Sequence, residues 1–155
     1  MPRLYFLVPN LTTDSIPYWE ERLDALSPDH ERRWGKLTAH GMVCHLKTAM
    51  TGMLTPSENP KPPTLKQRLL RIFILNLLPW PRGKIRVEDR LTPDPTDHFE
   101  DDVQRVKELL HQFCDLTTKS PDQIINHPIF GAMPLSLWQK FHGRHLHHHF
   151  TQFGV

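Results

Sequence analysis

The chain has 155 residues, and a length of this order buries one core without disulfides or other staples. Its 19 Lys+Arg against 17 Asp+Glu leave a net charge of +2, which excludes nucleic-acid binding through bulk positive charge. At 38% hydrophobic and 23% charged it is too apolar to be disordered throughout, and its oddities are 15 prolines and 11 histidines.

The first predicted helix runs from Ser15 to Leu26. Ser15 or Asp14 caps it, Pro17 fits its first turn, Ile16, Leu23 and Leu26 share a face, and Pro28 ends it. Thr38 opens a second helix that reaches Leu54 before Pro56. Met42, His45, Ala49 and Met53 recur there at spacings of three or four, an apolar stripe with one imidazole in it. Eight prolines between Pro56 and Pro95 break the middle third into short pieces. A shorter helix is expected from Leu65 to Leu78, mixing Lys66, Arg68 and Arg71 with leucines and isoleucines. Asp97 to Leu116 makes a long helix whose acidic first turns suit the positive end of the helix dipole. Val103, Val106, Leu109, Leu110 and Phe113 supply its buried face. The last helix starts after Ser136 and runs to Phe153, with Gly143 inside it. Strand signals at Leu4–Val8 and Lys84–Val87 are short and isolated. The fold class expected is all-α: one domain over 1–155, with four main helices and an extra segment between the second and third.

Cys44 and Cys114 are the two cysteines, and neither lies in a C-x-x-C pair. A reduced, cytoplasmic setting is the expectation. The five apolar residues of Leu4–Val8 are too few for a signal peptide, and no stretch has the length of a membrane span.

Five of the 11 histidines fall between positions 142 and 149. His145 and His149 are four apart, so on a helix they stack on one face, with His142 beside them, His148 at the edge and His147 opposite. Two such imidazoles converge on one metal but do not close its shell. His45, pointing into the core from the second helix, is the candidate third ligand. The alternatives are an exposed histidine-rich face and a core His45 bonded to a backbone carbonyl. His145 is followed by Leu146, so the Glu of H-E-x-x-H is missing and a zincin-type protease is disfavoured.

Trp34 to Leu46 resembles the second-helix signature of the DinB/YfiT-like metalloenzyme superfamily. His127-Pro128-Ile129-Phe130-Gly131, then Trp138 and Arg144 to Gly154, resembles its C-terminal signature. The nearest branch is one of its domains of unknown function. The resemblance implies a four-helix bundle, often dimeric, with a divalent metal held by three histidines matching His45, His145 and His149; Gln152 matches a glutamine that follows the last ligand. Gly41 and His147 depart from the glutamine and the acidic residue usual at those positions. Members with known activity include thiol-dependent transferases and isomerases.

The function expected is a metal-dependent enzyme, Zn²⁺ or Ni²⁺ being the metal, with hydrolase or thiol-dependent transferase chemistry on a small-molecule substrate, a low-molecular-weight thiol among its partners. His142 or His148 is the candidate proton shuttle, and no nearby carboxylate stands out as a base. The alternative is a non-catalytic metal-binding protein or a dimeric interaction or sensor protein. A homodimer is expected, with no nucleic-acid partner. Cys44 is read as a small buried hydrophobe ahead of a reactive thiol, and Cys114 as core. His40 and Lys47 are expected in solvent, Asp97, Glu100, Asp101 and Asp102 on the surface, and His127 in a turn that positions the last helix. Trp34, Trp80 and Trp138 are read as core, Trp138 with a view of the pocket. The Leu65–Trp80 segment is read as core packing or a lid ahead of a membrane-surface helix, and Arg82, Lys84 and Arg86 as a solvated loop ahead of an attractor for anionic substrate.

Overall fold

The computed structural model describes residues 8–54, 59–77, 80, 82 and 98–155. Expectations on Leu4–Leu7, Leu78, Pro79, Lys84–Val87 and Asp97 lie outside these residues.

A single 3-10 turn, Thr13–Ser15, leads into α1 (Ile16–Asp24), with Pro17 in its first turn as expected. The Ser15 hydroxyl accepts from the Trp19 indole at 3.1 Å and donates to the Asn10 carbonyl at 2.7 Å, which fixes the entry of the chain. Thr38 caps α2 (Ala39–Met53) by accepting from the Gly41 amide. α3 (Leu65–Ile72) opens on a Thr64/Gln67 capping box and continues as a π-helical turn over Phe73–Leu77. α4 (Phe99–Lys119) carries Glu100, Asp101 and Asp102 in its first turn. α5 (Leu135–Phe153) ends on Gly154, whose φ of 83° is the left-handed stop favoured by glycine.

The all-α expectation needs one correction. Between α4 and α5 a short antiparallel hairpin forms from β1 (Ile124–His127) and β2 (Gly131–Pro134), with Ile125 opposite Met133. Its four-residue arms carry too little alternation to be read as strands, and tertiary contact makes up the difference. Ile125 and Met133 point into the core, and the Trp138 indole donates to the Ile125 carbonyl at 3.2 Å, tying the hairpin to α5.

The remaining fold is helical. α2 packs on α4 and α5, and α1 packs on both α4 and α5. Trp19, Leu23, Met42, Leu46, Leu109, Leu110, Phe113 and Phe150 form the centre of the core. Residues 9–10 then cross α5 at Gly143, with the Leu11 amide donating to the Gln139 carbonyl at 2.9 Å. A Cβ on Gly143 would collide with the Pro9 carbonyl oxygen, so the helix tolerates glycine there for the sake of that crossing.

Candidate metal centre

α5 presents its histidines as helical spacing requires. His145 and His149 lie one turn apart and point inward; α2 brings His45 to meet them. The His145 Nε2 sits 3.1 Å from the His45 Nε2 and 3.0 Å from the His149 Nε2. All three rings are buried, at 3%, 7% and 5% exposure for His45, His145 and His149. Ligands about 2.0–2.1 Å from a tetrahedral ion stand roughly 3.3–3.4 Å from one another, so these nitrogens are close to the spacing of a shared coordination shell.

Proton placement argues the same way. The His149 Nδ1–H donates to the Gln152 Oε1 at 2.9 Å, which leaves the neutral ring's Nε2 as a lone pair aimed at the other two imidazoles. The His145 Nε2 has two nitrogen neighbours but carries one proton or one lone pair, so it satisfies one of them at most. Its Nδ1 is buried and, among the described residues, has no hydrogen-bond partner. Burial first, then the neighbouring imidazoles, hold His145 and His149 well below the ordinary histidine range. Both rings are therefore neutral at pH 7, the state a metal needs. A divalent cation fits this donor set, because it would meet three inward imidazole nitrogens, each able to present a lone pair.

The loop before α2 supports the arrangement. Gly35, at φ 91°, lies so close to Gln152 that a Cβ there would stand 2.7 Å from the Gln152 Nε2. The Arg33 amide also donates to the Gln152 carbonyl, at 2.6 Å. This backbone holds the amide that orients His149. Trp80 covers the cluster, with ring centroids 5.9 Å from His145 and 5.5 Å from His148, and Trp34 meets His148 edge-on at 4.9 Å. Trp138 instead lies at the hairpin end, stacked on His142 at 5.6 Å.

The other histidines are placed differently. His142 touches the Met53 sulfur through Nε2, stands 6.5 Å from His145 between ring centroids, and is held neutral to about pKa 3 by burial, then by His127. His148 is held to about 4 by burial, then by Arg82 and His45. His147 is half-buried on the opposite side, with its Nδ1 3.1 Å from the Arg22 guanidinium. His127 ends β1; its Nδ1 accepts from the Ile129 and Phe130 amides and closes a turn, which belongs to the unexpected hairpin.

A second cluster stands on the other side of α2, and it overturns three expectations. Asp102 is 4% exposed rather than on the surface. His40 and Lys47 turn toward it instead of toward solvent: the His40 Nε2 lies 2.8 Å from Oδ2, and the Lys47 ammonium is ion-paired with Oδ1. The Cys44 thiol donates to Oδ2 at 3.3 Å. Cys44 is buried as expected, but it is a hydrogen-bonding group and not a plain hydrophobe. Cys114 is core, its thiol pushed up to about 12 by burial, then by Asp115. A shallow groove of about 310 Å³ between α1 and α4, lined by Leu23, Leu26, Phe99 and Lys107, touches none of these groups.

Residues 12–154 match the model of the DUF1569 family, described as a protein of unknown function. The chain belongs to the DUF1569 family. No curated protein and no solved structure matches this DUF1569 chain. The match spans α1 through α5, so this DUF1569 domain includes every residue of both clusters.

Proposed function

We propose that this DUF1569 protein is a metal-dependent enzyme whose divalent ion, Zn²⁺ or Ni²⁺, is held by His45, His145 and His149. The observation that carries the reading is the convergence of three buried imidazole nitrogens from two helices, with the His145 Nε2 3.0–3.1 Å from the other two. The resemblance to the DinB/YfiT-like superfamily supports it, together with a four-helix-bundle reading of α1, α2, α4 and α5 and a homodimer.

Three neutral ligands leave a bound ion strongly cationic with an open position, able to acidify water or bind a thiolate. The chain's own residues supply the rest. Gln152 fixes the His149 tautomer, and Gly35 makes room for Gln152. Trp80 and Trp34 shield the site from bulk water. Among the described residues the buried Nδ1 of His148 has no hydrogen-bond partner, and its place at the border of the ligand cluster supports it over His142 as the candidate proton shuttle. Hydrolysis or thiol transfer on a small molecule follows from such a centre.

Burial favours a second reading, a non-catalytic metal-binding or sensor protein, since each ligand is at most 7% exposed. One measurement tests the first claim: metal per chain in untagged protein, for wild type, His45→Ala and His145→Ala. The expected result is near-stoichiometric metal lost in both variants. No metal after exposure to Zn²⁺ and Ni²⁺ removes the enzyme reading, and loss in His145→Ala alone removes His45 from the site. Cobalt-substituted protein separates the two functions: a visible spectrum that shifts with azide or a small thiol means an open position, and an inert spectrum means a closed one.

A further inference from the structure

α3 has the plan of a core helix but none of its residues is buried. Leu65, Leu69, Ile72 and Phe73 are 73%, 48%, 50% and 47% exposed. At 100° per residue these positions share an arc of roughly 100°. They form one continuous ridge, unlike the scattered single hydrophobes normal on a surface. The opposite side is the anchored one. Leu70 and Ile74 pack on the core, the Arg71 guanidinium donates to the Ala132 carbonyl at 3.2 Å, and Gln67 lies against Gly131 of the hairpin. That hairpin adds Ile124 and Ile129, both exposed; Tyr18 is the one further large exposed hydrophobe among the described residues. The expectation of core packing for this segment therefore holds for one face of α3 and fails for the other.

Charge identifies what the ridge faces. From Asn59 to Val87 the sequence has seven Lys and Arg and no Asp or Glu. The remaining chain has 12 Lys and Arg against 17 Asp and Glu, so a near-neutral total conceals a basic segment of sequence, to which Lys66 and Arg68 belong. Lys66 and Arg68 fall on the two borders of the apolar arc. A second copy on a two-fold axis would set this pair of cations against the same pair, cation facing cation, which opposes self-pairing through this face. Aliphatic side chains flanked on both sides by long cations fit an anionic lipid surface. The apolar ridge enters below the headgroups, and the cations reach phosphate.

We propose that α3 and its π-helical turn dock this protein peripherally on anionic phospholipid bilayers. No helix among the described residues is long and apolar enough to cross a membrane, so the contact is made from the surface. It is independent of the metal centre.

The test is co-sedimentation of the full chain with vesicles of phosphatidylcholine alone or mixed with phosphatidylglycerol. Wild type should bind the mixed vesicles about tenfold or more tightly than the zwitterionic ones, and high salt should weaken that binding. Leu69→Gln/Ile72→Gln and Lys66→Glu/Arg68→Glu should each lose it by a similar factor while melting like wild type, since all four side chains point to solvent. Three results would overturn the proposal. One is no preference for anionic vesicles. Another is charge-only binding, unaffected by the glutamine pair and equalled by heparin. The third is a wild-type dimer that the glutamine pair converts to monomer, which would make the ridge a self-interface.

Discussion

α2 carries two clusters of metal-ligand side chains, and they are built on opposite principles. On one side His45 meets His145 and His149; on the other His40, Cys44 and Lys47 meet Asp102. In both, three potential ligand atoms lie within 4.8 Å of one another. The imidazole cluster brings together three ring nitrogens, each able to present a lone pair to a cation. The Asp102 cluster surrounds one carboxylate with an ammonium on Oδ1 and an imidazole and a thiol on Oδ2, so the charge is already answered. Proximity of ligand types therefore does not define a metal centre. The direction of lone pairs and protons does. The first cluster invites a cation, whereas the second pins α2 to α4.

Breaking that comparison begins with Asp102→Ala. It strands Lys47 and His40 beside a buried gap and should cost about 3–5 kcal/mol in urea unfolding. Metal per folded chain should stay at the wild-type value; a parallel loss of metal would show that the two clusters act as one. Conversely, His45→Ala should abolish the stabilisation that excess metal confers, about 4 kcal/mol at a thousandfold excess over Kd, while leaving the pin intact. Thermal melts with and without metal read this directly.

Acid should separate the imidazole side further. Burial holds His127 to about 4, His142 to about 3 and His148 to about 4, against about 6.5 in an unfolded chain. Below pH 6.5 the unfolded state takes up protons that the folded state refuses, so stability falls with pH. In chelated protein each such histidine contributes up to about 1.4 kcal/mol per pH unit between about pH 6 and 4, and nothing above pH 7. Chemical unfolding at a series of pH values would show this slope, and a flat profile from pH 7 to 5 would refute the buried, neutral assignment.

Smaller effects sharpen the picture. Gly35→Ala forces a Cβ onto the Gln152 amide in a left-handed conformation and should weaken metal binding by about 10–100-fold through His149, read by competition with a chelating dye. Cys44→Ala removes one donor of several around Asp102 and should cost about 1 kcal/mol, with no change in metal content.

Much of this was legible locally. Thr38 marks the start of its helix because a hydroxyl caps an amide within three residues. The His145/His149 pair needs nothing beyond helical spacing, and His45 stands out as a polar break in the apolar stripe of α2. The hairpin was not legible. Asn126, His127 and Pro128 interrupt its alternation, and its order depends on α5. Asp102 was misread for a related reason. An acid in a first turn suits the helix dipole whether or not it is exposed, and nothing in its neighbours announces that a lysine from α2 arrives opposite.

The amino-acid sequence alone determined the helical character, the cap at Thr38 and the inward pair on α5, because each depends on contacts within a turn or two. Tertiary structure decided that His45 closes the cluster, that Trp80 covers it, that Asp102 is buried and that one face of α3 is left bare. Those outcomes depend on which helix faces which, and that is settled by packing between residues as far apart in sequence as His45 and His149.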